Sequence, residues 1–297
     1  MSSLQRAAQI IKEIEPEDLL VLRTLEKALA SHEITPLDYM LKVSHLHKTE
    51  LDYRLKRLDD FHLISCVSKG AILYAAGLDA IALNSLVKRN LISALGPSIG
   101  VGKESDVFEV VGEDKTYAAK IFRIGRTSFR DTRRKRSYVS LTKHHHWLKI
   151  SIAAAKIEYN SLTDLLEKGV SVPKIIARER HILLMNRING TLLAYCKKLK
   201  APKKTLLSII NNIRLSFLDA GLVNGDLSEY NIICTNSKIW LIDWPQTVPA
   251  KHPNASMLLD RDVSNILRFF KKRFGVECHL DSASFYVRGW SDTLNID

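Results

Sequence analysis

The stretch of sequence that decides the fold reads Asn224-Gly225-Asp226-Leu227-Ser228-Glu229-Tyr230-Asn231, and a second stretch, Leu241-Ile242-Asp243-Trp244-Pro245, follows it. The first comes after a predicted helix over residues 205–220, and the second ends a short apolar strand. Mg²⁺ takes carboxylate and carbonyl oxygens together with substrate phosphates. Asn231 and Asp243 are therefore candidate metal ligands, and Asp226 is a candidate proton acceptor. For each residue taken alone, an Asx turn is the alternative.

A turn with two glycines lies upstream, in a region of predicted strands over residues 98–111 and 115–122. It reads Ile99-Gly100-Val101-Gly102-Lys103-Glu104-Ser105-Asp106-Val107-Phe108. Glycine lets backbone N–H groups approach a phosphate closely, although two spaced glycines also make ordinary hairpin turns. No helix is predicted after this turn, so the sequence indicates neither a Walker A loop nor a Rossmann site.

Two charged residues stand in apolar surroundings. Lys120 lies in the predicted strand over residues 115–122, and Glu158 lies among apolar residues of a predicted helix over residues 150–168. A buried charge is costly unless it is paired, so one Lys120–Glu158 ion pair would account for both. The alternative for Lys120 is an edge strand with the ammonium group in water.

These features follow the order found in protein kinases: a glycine-rich loop, a strand lysine, a helix glutamate, a catalytic loop and a metal loop. The motifs at 100–107, 224–231 and 242–246, with His252-Pro253-Asn254-Ala255 and Asp260-Arg261-Asp262-Val263, closely resemble the RIO family of atypical kinases. The N-terminal module resembles that of the second RIO subfamily, Rio kinase 2. The compact length of the chain resembles that of archaeal members.

The resemblance implies an ATP- and Mg²⁺-dependent serine/threonine-type protein kinase or ATPase, with Mn²⁺ as an alternative metal. It implies that Asp226 and Lys120 are catalytic, that Asn231 and Asp243 bind the metal, and that Asp243 accepts a transient phosphoryl group. The nucleotide-binding residues that it implies are Gly100, Val101, Gly102, Lys103, Glu104, Ser105, Asp106, Val107, Lys120, Glu158, Met185, Asn186 and Ile188.

The sequence departs from the family pattern at two positions. Asn224 stands where the family usually has His, and Asn186 stands where an acidic residue is common. The first change bears on how the catalytic loop is braced. The chain also has no Ala-Pro-Glu motif after Asp243, so we expect no activation segment of the kind on which ordinary kinases dock peptides.

The N-terminal residues predict three helices followed by a hairpin, over residues 17–30, 37–43, 49–60 and 62–74. That order is typical of a winged helix-turn-helix module, which either docks on nucleic acid or serves as a protein-interaction domain. The predicted fold is therefore α+β, with a winged helix-turn-helix domain and linker helix (1–91) before a compact bilobal RIO kinase domain (92–297). Its N-lobe is predicted at about 92–184 and its C-lobe at about 189–297.

The net charge of +12 is unevenly distributed along the chain. Residues 1–95 carry 12 basic and 12 acidic side chains, whereas residues 120–149 carry ten basic side chains and one acidic, a net charge of +9. We therefore expect a flexible basic insertion at about 125–146 and contact of Arg123 to Lys149 with RNA. The resemblance to the RIO family implies that this RNA belongs to the small ribosomal subunit precursor and that the chain acts in maturation of that subunit. The winged helix, through an outer face around Arg54 to Arg57, is a second expected contact. The alternative for the basic run is a solvated loop.

Other classes of function are less well supported. No apolar run approaches the roughly 20 residues of a membrane span, and the N-terminus lacks a signal-peptide pattern, which favours a cytoplasmic protein. The four cysteines form no CxxC pair, against a zinc ribbon or a disulfide framework. His144-His145-His146 lacks ligand spacing, and neither Ser105 nor Ser228 lies in a G-x-S-x-G motif. The chain itself is expected to be a monomer. A nucleotide-switched ribosome-binding factor without a phosphorylated substrate is the alternative function.

Overall fold

The computed structural model describes residues 2–113, 115–124 and 147–297. Its N-terminal part contains the predicted helices and hairpin. Its elements are α1 (Ser3–Ile10), α2 (Pro16–Ala28), α3 (Leu37–Ser44), α4 (Lys48–Asp60), β1 (Ile64–Val67), β2 (Gly70–Leu73) and α5 (Ala75–Lys88). Helix α1 is not predicted from the sequence. It begins with a capping box, in which Ser2 and Gln5 each accept a hydrogen bond from the other's backbone N–H.

The hairpin is closed by a glycine with an unusual backbone. Gly70 has φ of +144°, and a Cβ at this position would lie 2.0 Å from the carbonyl oxygen of Thr35. This close approach lets Thr35 and Ala71 exchange backbone hydrogen bonds of 2.8 and 3.0 Å. The hairpin is thereby fixed to the chain segment that enters α3.

Helix α4 corrects one expectation about surface charge. Arg54 was expected on the outer face, but it is only 8% exposed. Its guanidinium group donates to Glu15 and Glu50, each at 2.7 Å, and to Asp18 at 3.4 Å. Arg57 also donates to Asp18, at 3.1 Å. These arginines hold α4 against α2, and Lys56 is the exposed cation between them.

Beyond α5 the chain forms β3 (Ala94–Val101), β4 (Ser105–Val111), β5 (Thr116–Phe122), α6 (Trp147–Glu167), β6 (Ile175–Glu179) and β7 (Ile182–Asn186). The strands make one sheet in the order β3-β4-β5-β7-β6, with β3, β4 and β5 antiparallel. The predicted basic insertion at 125–146, and with it His144 to His146, lies outside the described residues.

The remaining elements are β8 (Thr191–Leu192), α7 (Pro202–Leu218), β9 (Leu222–Val223), β10 (Ile232–Cys234), β11 (Ile239–Leu241), β12 (Val248–Pro249), α8 (Ala255–Phe274) and α9 (Leu280–Val287). Strands β11, β10 and β8 form one small sheet, and β12 pairs with β9. Trp244 and Phe270 are the largest side chains of the apolar core here. Within the parts of the chain that the structure describes, no helix is both long and apolar enough to span a membrane.

The chain divides into two units. The first contains residues 1–154 and 178–184, and the second contains residues 155–177 and 185–297. The N-terminal helices therefore belong to the same unit as strands β3 to β5. The predicted domain boundary near residue 92 stays a prediction.

A buried ionic cluster lies inside the first unit. Asp79 of α5 binds His181 Nε2 through one carboxylate oxygen at 2.7 Å and Arg123 Nη2 through the other at 2.8 Å. All three side chains are buried. Burial would raise the pKa of Asp79, but the charge of Arg123 and the bond from His181 outweigh it and lower this pKa. The cluster thereby links the N-terminal helices to β5 and to the β6–β7 turn.

Candidate active site

The predicted catalytic loop connects β9 to β10 in the second unit. Gly225 has φ of +78°, a conformation that L side chains rarely adopt. The backbone of Asp226 is held on both sides: its N–H donates to Asn224 Oδ1 at 3.1 Å, and its carbonyl accepts from Asn231 Nδ2 at 3.0 Å. Asn231 thus uses its amide nitrogen within the loop, which leaves the amide oxygen as the atom suited to a metal ion.

The predicted metal loop is tied directly to the catalytic loop. The buried Asn224 side chain donates to the carbonyl of Asp243 at 3.0 Å, and the N–H of Ile242 donates to the carbonyl of Asn231 at 2.9 Å. Asp243 itself has φ of +68°, an uncommon value for a residue other than glycine that often occurs at functional sites. The departure at Asn224 therefore retains a bracing role, because its amide serves both loops.

Glu158 of α6 also contacts the metal loop. Its side chain is 1% exposed, and its Oε1 accepts a hydrogen bond from the N–H of Trp244 at 3.3 Å. The sequence predicts Glu158 as a partner for Lys120, and Lys120 belongs to the first unit. That pairing stays a prediction, whereas the contact with Trp244 is an additional role for the same carboxylate.

Asp262 of α8 is part of a family motif in the sequence, but sequence reasoning missed its role in the site. Its two carboxylate oxygens accept hydrogen bonds from the N–H groups of Gly225, at 2.8 Å, and Leu227, at 3.0 Å. The neighbouring Arg261 donates to the carbonyl of Gly225. The sequence signal was a carboxylate on the apolar side of a helix, because Leu259 lies three residues before Asp262 and Ile266 lies four residues after it. The structure agrees, since Asp262 is 2% exposed.

The glycine-rich turn and Lys120 lie on neighbouring strands of the first unit. Gly102 closes the turn between β3 and β4 by donating to the carbonyl of Ser105 at 2.8 Å. Val107 of β4 is the register partner of Lys120 in β5. Lys120 is 6% exposed and β5 is an inner strand, so the alternative of an edge lysine in water is wrong.

The predicted adenine-flanking residues lie at the end of β7 and just beyond it. Met185 is buried, and the N–H of Asn186 donates to the carbonyl of Lys174 at 2.9 Å. Asn186 therefore has only its carbonyl left as a backbone group for a nucleotide. Contacts from Asn186 and Ile188 to adenine stay predictions.

The arrangement in the second unit thus brings Asp226, Asn231, Asp243 and Glu158 together through backbone and side-chain hydrogen bonds. A comparison with known families identifies a RIO domain over residues 106–283. The RIO-type serine/threonine-protein kinase Rio2 of Methanocaldococcus jannaschii is 35% identical over 249 residues, which cover 81% of this chain and 91% of that protein. The chain belongs to the RIO kinase family.

The N-terminal module places the chain in one branch of this family. Residues 11–89 match the Rio2 N-terminal family. The Dictyostelium discoideum serine/threonine-protein kinase rio2 is 34% identical over 89% of this chain, but the chain spans only 51% of that relative's length. The predicted family and its serine/threonine kinase class are confirmed.

A solved RIO kinase has the same fold. The crystal structure of the Rio2 kinase from Chaetomium thermophilum, a complex with ADP, Mg²⁺ and phosphoaspartate, matches 93% of this chain and 88% of its own. The TM-score is 0.81 at 30% sequence identity. This match confirms the predicted α+β fold class, a winged-helix module followed by a RIO kinase domain.

Asp262 gives this RIO domain a pH-dependent stability. Burial raises its pKa to about 6, although the N–H groups of Gly225 and Leu227 act in the opposite direction. Because the pKa of Asp262 in the folded chain lies above the unfolded value of 3.8, the protonated Asp262 contributes fully to the free energy of unfolding below pH 3.8. It is lost as the pH rises through about 6.

Asp262→Asn cannot titrate at this position. Relative to the unchanged chain, its free energy of unfolding should therefore rise by up to about 3 kcal/mol between about pH 4 and pH 7. Urea unfolding at a series of pH values measures this difference. Asp219→Asn, at an exposed position, is the control and should show no such rise. A parallel pH profile for Asp262→Asn and the unchanged chain would contradict the raised pKa.

Proposed function

We propose that this chain uses ATP and Mg²⁺ to transfer a phosphoryl group, and that Asp243 is the first acceptor. The arrangement of Asn231 and Asp243 carries the proposal, because the bonds described above hold an amide and a carboxylate on adjoining loops. Oxygen ligands of these two kinds suit Mg²⁺. When bound, the metal would neutralise charge on the phosphates of the nucleotide.

The reaction would proceed in two steps. The carboxylate of Asp243 attacks the γ-phosphorus of ATP, the bond from that phosphorus to the bridging oxygen breaks, and ADP leaves with the bonding electrons. Water or a substrate hydroxyl then attacks the phosphorus of the acyl phosphate, which restores the Asp243 carboxylate. Asp226 would accept the proton of this second nucleophile. The phosphoaspartate in the C. thermophilum relative supports the first step.

Labelling with γ-³²P-ATP tests this proposal. We expect the chain to acquire label that hydroxylamine removes, as it does from acyl phosphates, and Asp243→Asn to acquire none. Asp219→Asn is the matched control, because it makes the same chemical change at an exposed residue. Label that resists hydroxylamine and persists in Asp243→Asn would instead place the phosphoryl group on a hydroxyl side chain.

The alternative function is a nucleotide-switched assembly factor that binds ATP without transferring its phosphate. The same experiment separates the two functions, since such a factor would release no labelled phosphate and carry no label. The family membership and the kinase names of the relatives favour phosphoryl transfer.

We further propose that the cytoplasmic role of the chain is maturation of the small ribosomal subunit. The net charge of +12 supports contact with RNA, through the expected basic insertion between Arg123 and Lys149 and through the winged-helix module. Arg123 itself is a correction to that expectation, because its side chain is buried and bound to Asp79. The buried, paired state of Arg54 argues against its use in this contact, so other residues of the module would have to provide it. Adding purified small subunits to the labelling reaction should change the rate of phosphate release, and an unchanged rate would count against this role.

A further inference from the structure

Two exposed tyrosines lie beside the catalytic loop in the second unit. Tyr195, in a short 3₁₀ turn after β8, is 66% exposed, and Tyr230, next to Asn231, is 56% exposed. Their ring centroids are 6.4 Å apart, with the ring planes at 81°. The rings therefore form an aromatic pair that faces solvent at the edge of the candidate active site.

Basic residues follow Tyr195 closely in the sequence. Five lysines lie within residues 197–204, and all are exposed. Residues 180–218 contain no Asp or Glu, so these lysines have no acidic neighbour in their own segment. Arg273, near the end of α8, adds a cation, because its Nε donates to the carbonyl of Cys196 at 3.3 Å. Glu229 is the acidic residue adjacent to Tyr230.

We propose that this surface, Tyr195 and Tyr230 with the lysines of residues 197–204, binds single-stranded RNA. Nucleobases would stack on the tyrosine rings, while the lysines would contact phosphates. Exposed aromatic rings beside a basic track are the combination that binds unpaired strands. Duplex RNA fits this surface less well because its bases are already stacked on one another. An acidic peptide would match the charge but offers no flat bases for the rings.

The inference shares with the proposed function the expectation of an RNA partner, but it does not depend on phosphoryl transfer. Stacking on one exposed ring should contribute about tenfold to affinity. A plot of the logarithm of the binding constant against the logarithm of the salt concentration has a negative slope. Each phosphate contact on a single strand makes this salt slope steeper by about 0.7. The two contributions are separable, because stacking depends on the rings and the salt slope depends on the lysines.

Binding of a fluorescent twelve-residue oligouridylate to the full chain tests the proposal by anisotropy. Tyr195→Ala should weaken binding by about tenfold, whereas Tyr195→Phe, which keeps the ring, should stay within about twofold. Replacing Lys197, Lys198 and Lys200 with Gln should reduce the salt slope by about 2. The control replaces Lys168, Lys174 and Lys251, three exposed lysines on other segments, and should leave the slope within about half a unit.

Several outcomes would overturn the inference. Equal affinity of Tyr195→Ala and the unchanged chain would exclude stacking at this surface. Equal binding of duplex RNA, or competition by oligoglutamate that the tyrosine substitution does not affect, would indicate a general polyanion or acidic-peptide surface. Basal ATP turnover of Tyr195→Ala should remain unchanged. If Tyr195→Ala loses RNA binding but keeps ATP turnover, the loss is specific to this surface. If the unsubstituted chain shows no ATP turnover, that result counts against the proposed function and not against RNA binding.

Discussion

Asp226→Asn should lower the rate of ATP turnover by about 10³-fold and change ATP affinity by less than about threefold. Asparagine has nearly the same shape as aspartate but cannot accept a proton. The loop should keep its conformation, because the bonds that hold residue 226 to Asn224 and Asn231 use its backbone N–H and carbonyl. The side-chain contact from Gln246 Nε2 to Asp226 Oδ2, at 3.4 Å, is one that the substitution affects.

Single-turnover kinetics and calorimetric titration with a non-hydrolysable ATP analogue give the two quantities. Asp219→Asn should match the unchanged chain in both, since Asp219 is exposed at the end of α7. Full turnover by Asp226→Asn would remove Asp226 from the chemistry. A large loss of ATP affinity would instead show that the residue serves mainly in binding.

Asp79→Ala should lower the free energy of unfolding by about 3–5 kcal/mol. The substitution removes the carboxylate that binds both His181 and Arg123 and leaves the Arg123 charge buried without compensation. Among the described residues, Arg123 Nε and His181 Nδ1 already have no hydrogen-bond partner. The cluster therefore has little capacity to re-pair after the loss of Asp79. Urea unfolding monitored by circular dichroism measures the effect.

Asp52→Ala is the control for this measurement and should change stability by less than about 0.5 kcal/mol, because Asp52 is exposed on α4. The double variant Asp79→Leu/Arg123→Met provides a second test if the single variant does not fold. Replacing a buried ion pair with apolar residues is often neutral, so this variant should recover the part of the lost stability that comes from the uncompensated Arg123 charge, while His181 stays without its Asp79 partner. If both variants are equally unstable, the loss reflects packing rather than an uncompensated charge.

The sequence could predict those parts of the site whose residues are close together in the chain. The spacing of Asp226 and Asn231 and the apolar strand before Asp243 are local patterns. The structure contains that strand, and Asn231 Nδ2 donates to the carbonyl of Asp226, whereas the catalytic and metal-binding roles of these residues stay predictions. The burial of Lys120 was one of the two alternatives that its apolar neighbours in the strand allowed, and the structure shows that it is the correct one. Such predictions need no knowledge of the tertiary fold.

The errors concern residues whose partners are distant in sequence. Arg54 has the spacing of a surface residue on α4, but it is buried because Glu15, just before α2, and Asp18, in α2, approach from 39 and 36 residues away. Asp262 shows no role in its own segment because its partners are backbone N–H groups of the catalytic loop. The omission of helix α1 has a local cause instead, because its eight residues are too few for a clear period and its capping box depends on the side chains of Ser2 and Gln5.

The bonds from Asp262 to Gly225 and Leu227 also bear on whether the catalytic loop can be transplanted. The loop owes its shape to acceptors supplied by helix α8, more than 30 residues downstream, and to the amide bridge from Asn224 to Asp243. A peptide with the sequence of residues 224–231, grafted between two strands of an unrelated scaffold, would carry the reactive side chains without these supports. The smallest portable unit is therefore the loop together with the metal loop and the first turns of α8.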